Sequence, residues 1–117
     1  MEEKILKEII SEMERLKLYN ILQYYSKGHS IIADYFIVST AESLMQIEAA
    51  RNKLIELMEK YFLYLKNPLE EWHDGWCLMD FGNIIVHVFL EEVRNFYNLE
   101  SLFEGAGFEL LTNTNKT

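Results

Sequence analysis

The chain has one cysteine, one proline and no long apolar run. Standing alone, Cys77 can neither close an internal disulfide nor anchor a cysteine-based zinc site, which fits a reducing compartment. The proline, in Asn67-Pro68, marks a break in the middle of the chain. No segment approaches the ~20 apolar residues that a membrane helix needs. The run from Ile84 to Leu90 is short and carries His87. The opening Met-Glu-Glu-Lys is acidic and lacks the basic start and apolar stretch of a signal peptide. The expected location is the cytoplasm, with no membrane contact.

Positive charge is also scarce. Eleven Lys and Arg stand against 19 Asp and Glu, a net charge of -8. Tracking a nucleic-acid backbone needs clustered cations, so direct DNA binding is not expected. A basic protein partner suits this balance better. Internal repeats and low-complexity segments are missing. Gly105-x-Gly107 has no strand before it and no helix evident after it, so it fails the context of a dinucleotide loop. No cofactor is implied.

What remains is a globular composition: 117 residues, half of them apolar and 26% charged. That is enough for one domain, assigned to residues 1–104, with 105–117 expected to be a flexible tail. Ile5, Ile9, Met13 and Leu16 recur at helical spacing, widened by Leu6 and Ile10. Leu18 to Tyr25 has strand-forming residues, and Ser26 to Ser30 has a loop composition. Tyr35-Phe36-Ile37-Val38 predicts a strand covered on both faces. Ser43 to about Phe62 predicts the longest helix, with Ser43 as N-cap and Gln46 completing a capping box. A further short strand is expected within residues 63–71. Short helices are expected at Glu91-Glu92 and near Asn98. The order of elements predicts an α/β (α+β) domain, a single mixed β-sheet covered by helices.

The most informative stretch is Trp76–Phe81 and Ile84–Leu90 around Gly82-Asn83. Glycine at the first turn position suits a type II′ hairpin. A two-residue loop fixes the register, so Cys77, Met79, Phe81, Ile84, Val86 and Val88 share one face, all apolar and therefore core. The other face carries Trp76 with Phe89, Leu78 with His87, and Asp80 with Ile85. It is too apolar for a solvent face. Either a second layer of the domain covers it, or it is a partner-binding surface with Trp76 as anchor. These two readings stand level.

Asp80 and His87 are diagonal neighbours in this register and are expected within hydrogen-bonding reach. A polar contact that orients both side chains is the simpler reading than an acid/base pair. No nucleophile shares their face, since Cys77 points to the core. His73, Asp74 and His87 lack the spacing of a metal site, so no metal is expected. Glu70-Glu71 and Glu91-Glu92 are either solvated faces or an acidic rim that steers a basic partner.

Three segments resemble the ribosomal silencing factors, the RsfS or iojap-like proteins. They are Ala33 to Thr40 with Gln46-Ile47, Trp76 to Phe89, and Val93 to Phe103. Order and spacing agree over most of the span from Asp34 to Phe103. Asn83 stands where the family usually has Asp, and Phe103 where it usually has Trp. The resemblance implies a nucleotidyltransferase-like topology without known enzymatic activity. It implies binding to the large ribosomal subunit through ribosomal protein L-fourteen, which sterically blocks subunit joining and represses translation. Carried over by position, it places the partner contact on Trp76, Leu78, Asp80, Ile85, His87 and Phe89 of the hairpin and on Tyr97 and Leu99, with Leu102 completing the Tyr-x-Leu-x-x-Leu pattern. Two other readings compete: a nucleotide-binding or nucleotidyltransferase-like enzyme, and a homodimer pairing through the aromatic face.

Overall fold

The computed structural model describes residues 1–114. Its elements run α1 (Glu2–Arg15), β1 (Tyr19–Tyr25), β2 (Tyr35–Ala41), α2 (Leu44–Glu59), β3 (Trp76–Asp80), β4 (Ile84–Leu90), α3 (Glu91–Tyr97), α4 (Leu99–Gly105) and β5 (Glu109–Asn113). The five strands form one sheet in the order β3-β4-β2-β1-β5. Only the β2–β4 pairing is parallel, which makes the sheet mixed.

Both faces of the sheet are covered over its central strands. On one, Ile5, Ile9 and Met13 of α1 and Ile47, Leu54 and Met58 of α2 pack over Ile37, Met79, Val86 and Val88. This is the apolar stripe read from the sequence. On the other, Phe103 of α4, with Val93 of α3 beside it, covers Tyr24, Phe36, Val38, Ile85 and Phe89. Central strand β2 is therefore buried along nearly its whole length, as its continuous apolar run predicts.

Local chemistry sets the ends of the elements. The Ser43 hydroxyl accepts from Gln46 N–H at 3.1 Å, capping α2. The return half of the capping box is displaced by one residue: the Gln46 side-chain oxygen accepts from Glu42 N–H, and its amide donates to Leu16 O at 2.8 Å. Gln46 thus ties the start of α2 to the end of α1.

Two expectations need correction. Residues 63–71 form no strand; the segment is an irregular loop. Lys66 N–H donates to Asp80 O at 2.8 Å, and Asn67 accepts from Asp80 N–H at 3.0 Å and donates to Leu78 O at 2.8 Å. Loop and side chain together satisfy the outer edge of β3, which a strand would otherwise have to pair. The C-terminal segment expected to be a flexible tail from residue 105 instead supplies the end of α4 and strand β5. Leu22, Gln23, Tyr24 and Tyr25 of β1 pair with Asn113, Thr112, Leu110 and Glu109. Backbone pairing orders a segment that has little burial to offer. The last three positions of the expected tail lie outside the described residues.

Candidate functional site

The hairpin has the register expected from its two-residue turn: Trp76↔Phe89, Cys77↔Val88, Leu78↔His87, Met79↔Val86 and Asp80↔Ile85. Gly82 adopts φ 97°, the backbone that a type II′ turn requires at its first position. The face carrying Trp76, Leu78 and Asp80 is divided. Its β3 residues are half-buried, whereas Ile85, His87 and Phe89 of β4 are buried. Phe103 comes over β4 from α4, and Tyr97 at the end of α3 lies over Trp76 of β3, with its ring also facing Phe89. The second-layer reading therefore holds for β4, and an accessible surface remains at β3.

An aromatic cluster spans this boundary. The Trp76 ring stacks on Phe89 at a centroid separation of 5.1 Å and meets Tyr97 at 4.6 Å. Phe96 packs edge-on against Tyr97 at 5.2 Å. The Trp76 indole N–H donates to Nδ1 of His87 at 3.0 Å. His87 is 5% exposed, and burial pushes its pKa down to about 4. A neutral imidazole that accepts at Nδ1 carries its proton on Nε2.

The Asp80–His87 contact expected from the register does not form. Asp80 Oδ1 instead accepts from Gly82 N–H at 2.8 Å, closing an Asx turn at the hairpin tip. Asp80 and Trp76 both sit two pairs from His87 on the ladder, on opposite diagonals; the short Asp80 side chain turns to the hairpin tip, and the longer indole reaches the imidazole. His73 bonds Glu71 at 2.8 Å and does not join His87. Among the described residues, no three His, Cys, Asp or Glu side chains converge to hold a metal. Cys77 is buried, and burial raises its thiol pKa to about 11, which makes it a poor nucleophile.

The residue that fixes the site's geometry is Arg94, to which the sequence reading assigned no role. Its side chain is buried at 6% exposure. Nε donates to Glu100 at 3.1 Å, and Nη1 donates to Asn20 O at 2.6 Å and Thr40 Oγ1 at 2.8 Å. One guanidinium thus joins α3 and α4 to β1 and β2. The turn between the two helices is made by Asn98 in the left-handed region (φ 49°), whose side chain also accepts from Ser101 N–H. Together these place Tyr97 against Trp76 and half-bury Leu99. Phe96 and Leu102 remain exposed, at 81% and 65%. Phe96, packed on Tyr97 beside the half-buried tryptophan, makes an exposed apolar patch of the kind that marks an interaction site. An arginine inside an acidic helical segment looks like a surface charge in sequence; only its position across from Thr40 marks it otherwise.

Asp74, Glu91 and Glu92 are exposed near this face, where Leu90 N–H donates to Gly75 O at 2.9 Å. Gly75 itself has φ 97°, and a Cβ there would meet Val93 at 2.9 Å, so only glycine allows this approach of β3 to α3. Among the described residues, no helix is long and apolar enough to cross a membrane.

A family model described as "Ribosomal silencing factor during starvation" matches residues 2–116. The ribosomal silencing factor RsfS of Halalkalibacterium halodurans is 30% identical over 105 residues, covering 89% of this chain and 89% of that protein. The chloroplastic protein Iojap of Zea mays is 39% identical over 72 residues, 62% of this chain and 31% of that protein. A crystal structure of a Chromobacterium violaceum protein superposes with a TM-score of 0.79 at 25% identity, covering 87% of this chain and 85% of that one.

Proposed function

The chain belongs to the family of ribosomal silencing factors, and from that premise we propose that it binds the large ribosomal subunit through ribosomal protein L-fourteen. Bound there, it blocks joining of the small subunit and represses translation. It works in the cytoplasm by occupying a surface and catalyses no reaction. Family membership already makes the chain a ribosome-associated regulator of translation.

The observation that carries the reading is the half-buried Trp76 held against Tyr97 at the β3 edge of the sheet. Trp76, Leu78, Asp80, Tyr97 and Leu99 form the contact. Ile85, His87 and Phe89 lie behind it and fix the tryptophan's position. Large aromatic anchors with a charged rim are the usual composition of such interfaces. The net charge of -8, with Asp74, Glu91 and Glu92 near the anchor, steers a basic ribosomal protein toward it.

The test is co-sedimentation with separated ribosomal subunits, followed by addition of the missing subunit. The expected result is co-migration with the large subunit and a reduced yield of joined particle. Binding to neither subunit at micromolar concentration overturns the proposal.

A further inference from the structure

A concave surface lies away from the aromatic face and shares no residue with it. It opens between the start of α1, the end of α2 and the tip of the β3–β4 hairpin, with a volume of about 400 Å³. Ile5, Phe81 and Ile84 form its floor, all nearly fully buried. Tyr61 and Leu63 are half-buried walls, and Phe62 stands at the rim, 79% exposed. The volume falls within the ~300–1,000 Å³ typical of small-molecule sites.

Phe62 is the unusual residue. Its N–H donates to Glu59 O at 3.0 Å, and the next N–H, of Leu63, donates to Met58 O at 3.1 Å. This is a Schellman ending, with Phe62 in the left-handed position at φ 59°. Glycine is favoured there because a Cβ strains that backbone. A phenylalanine could offset the strain by burying its ring, but this ring lies in solvent. The fold gains nothing from the side chain, so its use lies with something outside the chain.

The charges at the cleft say what that is. The one carboxylate lining the cleft, Glu2, keeps its charge and accepts from the Asn83 side-chain amide at the hairpin tip, and the Tyr61 hydroxyl is engaged by Glu8. The Lys60 ammonium, which lines the same cleft, pairs with no carboxylate among the described residues. The trough is aromatic and aliphatic, its carboxylate is held to Asn83 at the hairpin tip, and its unpaired ammonium stands at the α2 end, so it is the α2 end that complements a small amphipathic anion. We infer that this cleft binds such a molecule: a flat apolar body on Phe62, Tyr61 and Phe81, with one carboxylate, sulfonate or phosphate toward Lys60.

The probe is 8-anilinonaphthalene-1-sulfonate, with N-phenyl-1-naphthylamine as the same ring system without its anion. Fluorescence titration of the full chain is expected to give saturable binding of the sulfonate. Amide chemical-shift changes are expected at Ile5, Leu63, Phe81 and Ile84. Phe62→Gly relieves the backbone, so it should unfold at or above the wild-type temperature while weakening both probes by roughly fivefold or more. Lys60→Gln should weaken the sulfonate by roughly fivefold and leave the uncharged analogue unchanged. Unaltered binding in Phe62→Gly overturns the assignment. So does equal loss of both probes in Lys60→Gln, or a shift map centred on Trp76 and Tyr97.

Discussion

The indole of Trp76 donates its N–H to Nδ1 of His87 across the β3–β4 ladder, at 3.0 Å. The bond joins the half-exposed edge strand to a buried imidazole, so an interface anchor is held from inside the domain. It also consumes the only polar atom of the indole, so Trp76 meets a partner with apolar surface alone.

Removing that anchor separates binding from folding. Trp76→Ala is expected to weaken large-subunit binding by ~2 kcal/mol or more, the usual cost of truncating an interface anchor. Quantitative co-sedimentation reads the loss. Part of the ring packs on Phe89, so some thermal stability should go as well. A variant that no longer folds would make Trp76 a core residue.

His87 gives the protein an acid-sensitive window. Its folded-state pKa, about 4, lies below the ordinary 6.5. Between those values the unfolded chain takes up a proton and the folded chain does not. Stability is therefore full above about pH 6.5 and falls as the pH drops toward 4, by roughly 3 kcal/mol at most. Urea midpoints measured from pH 7.5 to 4 should show the slope. His87→Leu should flatten it while lowering stability at neutral pH, because the Trp76 N–H then loses its acceptor.

Arg94→Met should be among the most damaging single changes. It leaves Glu100 without its cation and removes donors from Asn20 O and Thr40 Oγ1. Breaking a buried pair from one side typically costs ~3–5 kcal/mol. Amide exchange should accelerate first in α3 and α4, with the α1–α2 face protected longer.

Asp80→Asn tests whether the hairpin tip needs a charge. An amide oxygen can still accept from Gly82 N–H, so the change should cost under about 1 kcal/mol of stability. Asp80→Ala removes the acceptor and should cost about 1–2 kcal/mol. Thermal unfolding of the pair distinguishes the two. Comparable loss in both would mean that the charge itself is required.

Periodicity, cap and turn chemistry were legible in the chain because they are local. Ser43 capping α2, Gly82 setting the hairpin register, and the stripe Ile5-Ile9-Met13 facing the sheet all follow from spacing within a few residues. The aromatic face was legible too, since a fixed register assigns every side chain to one side of a strand. Which part of that face stays open was not. Ile85, His87 and Phe89 are covered because Phe103 arrives from α4, and α4 is held there by Arg94, whose partners lie six residues away at Glu100 and 54 and 74 residues away at Thr40 and Asn20. Strand β5 escaped for the same reason. Nothing in Glu109 to Asn113 is strongly buried, and only the free edge of β1, on the far side of the sheet from the hairpin, gives it a partner. Sequence settles what each segment can form, because propensity and pattern act over one or two turns. Tertiary structure decides which surfaces remain uncovered, because that depends on which distant segment satisfies a buried charge or a strand edge.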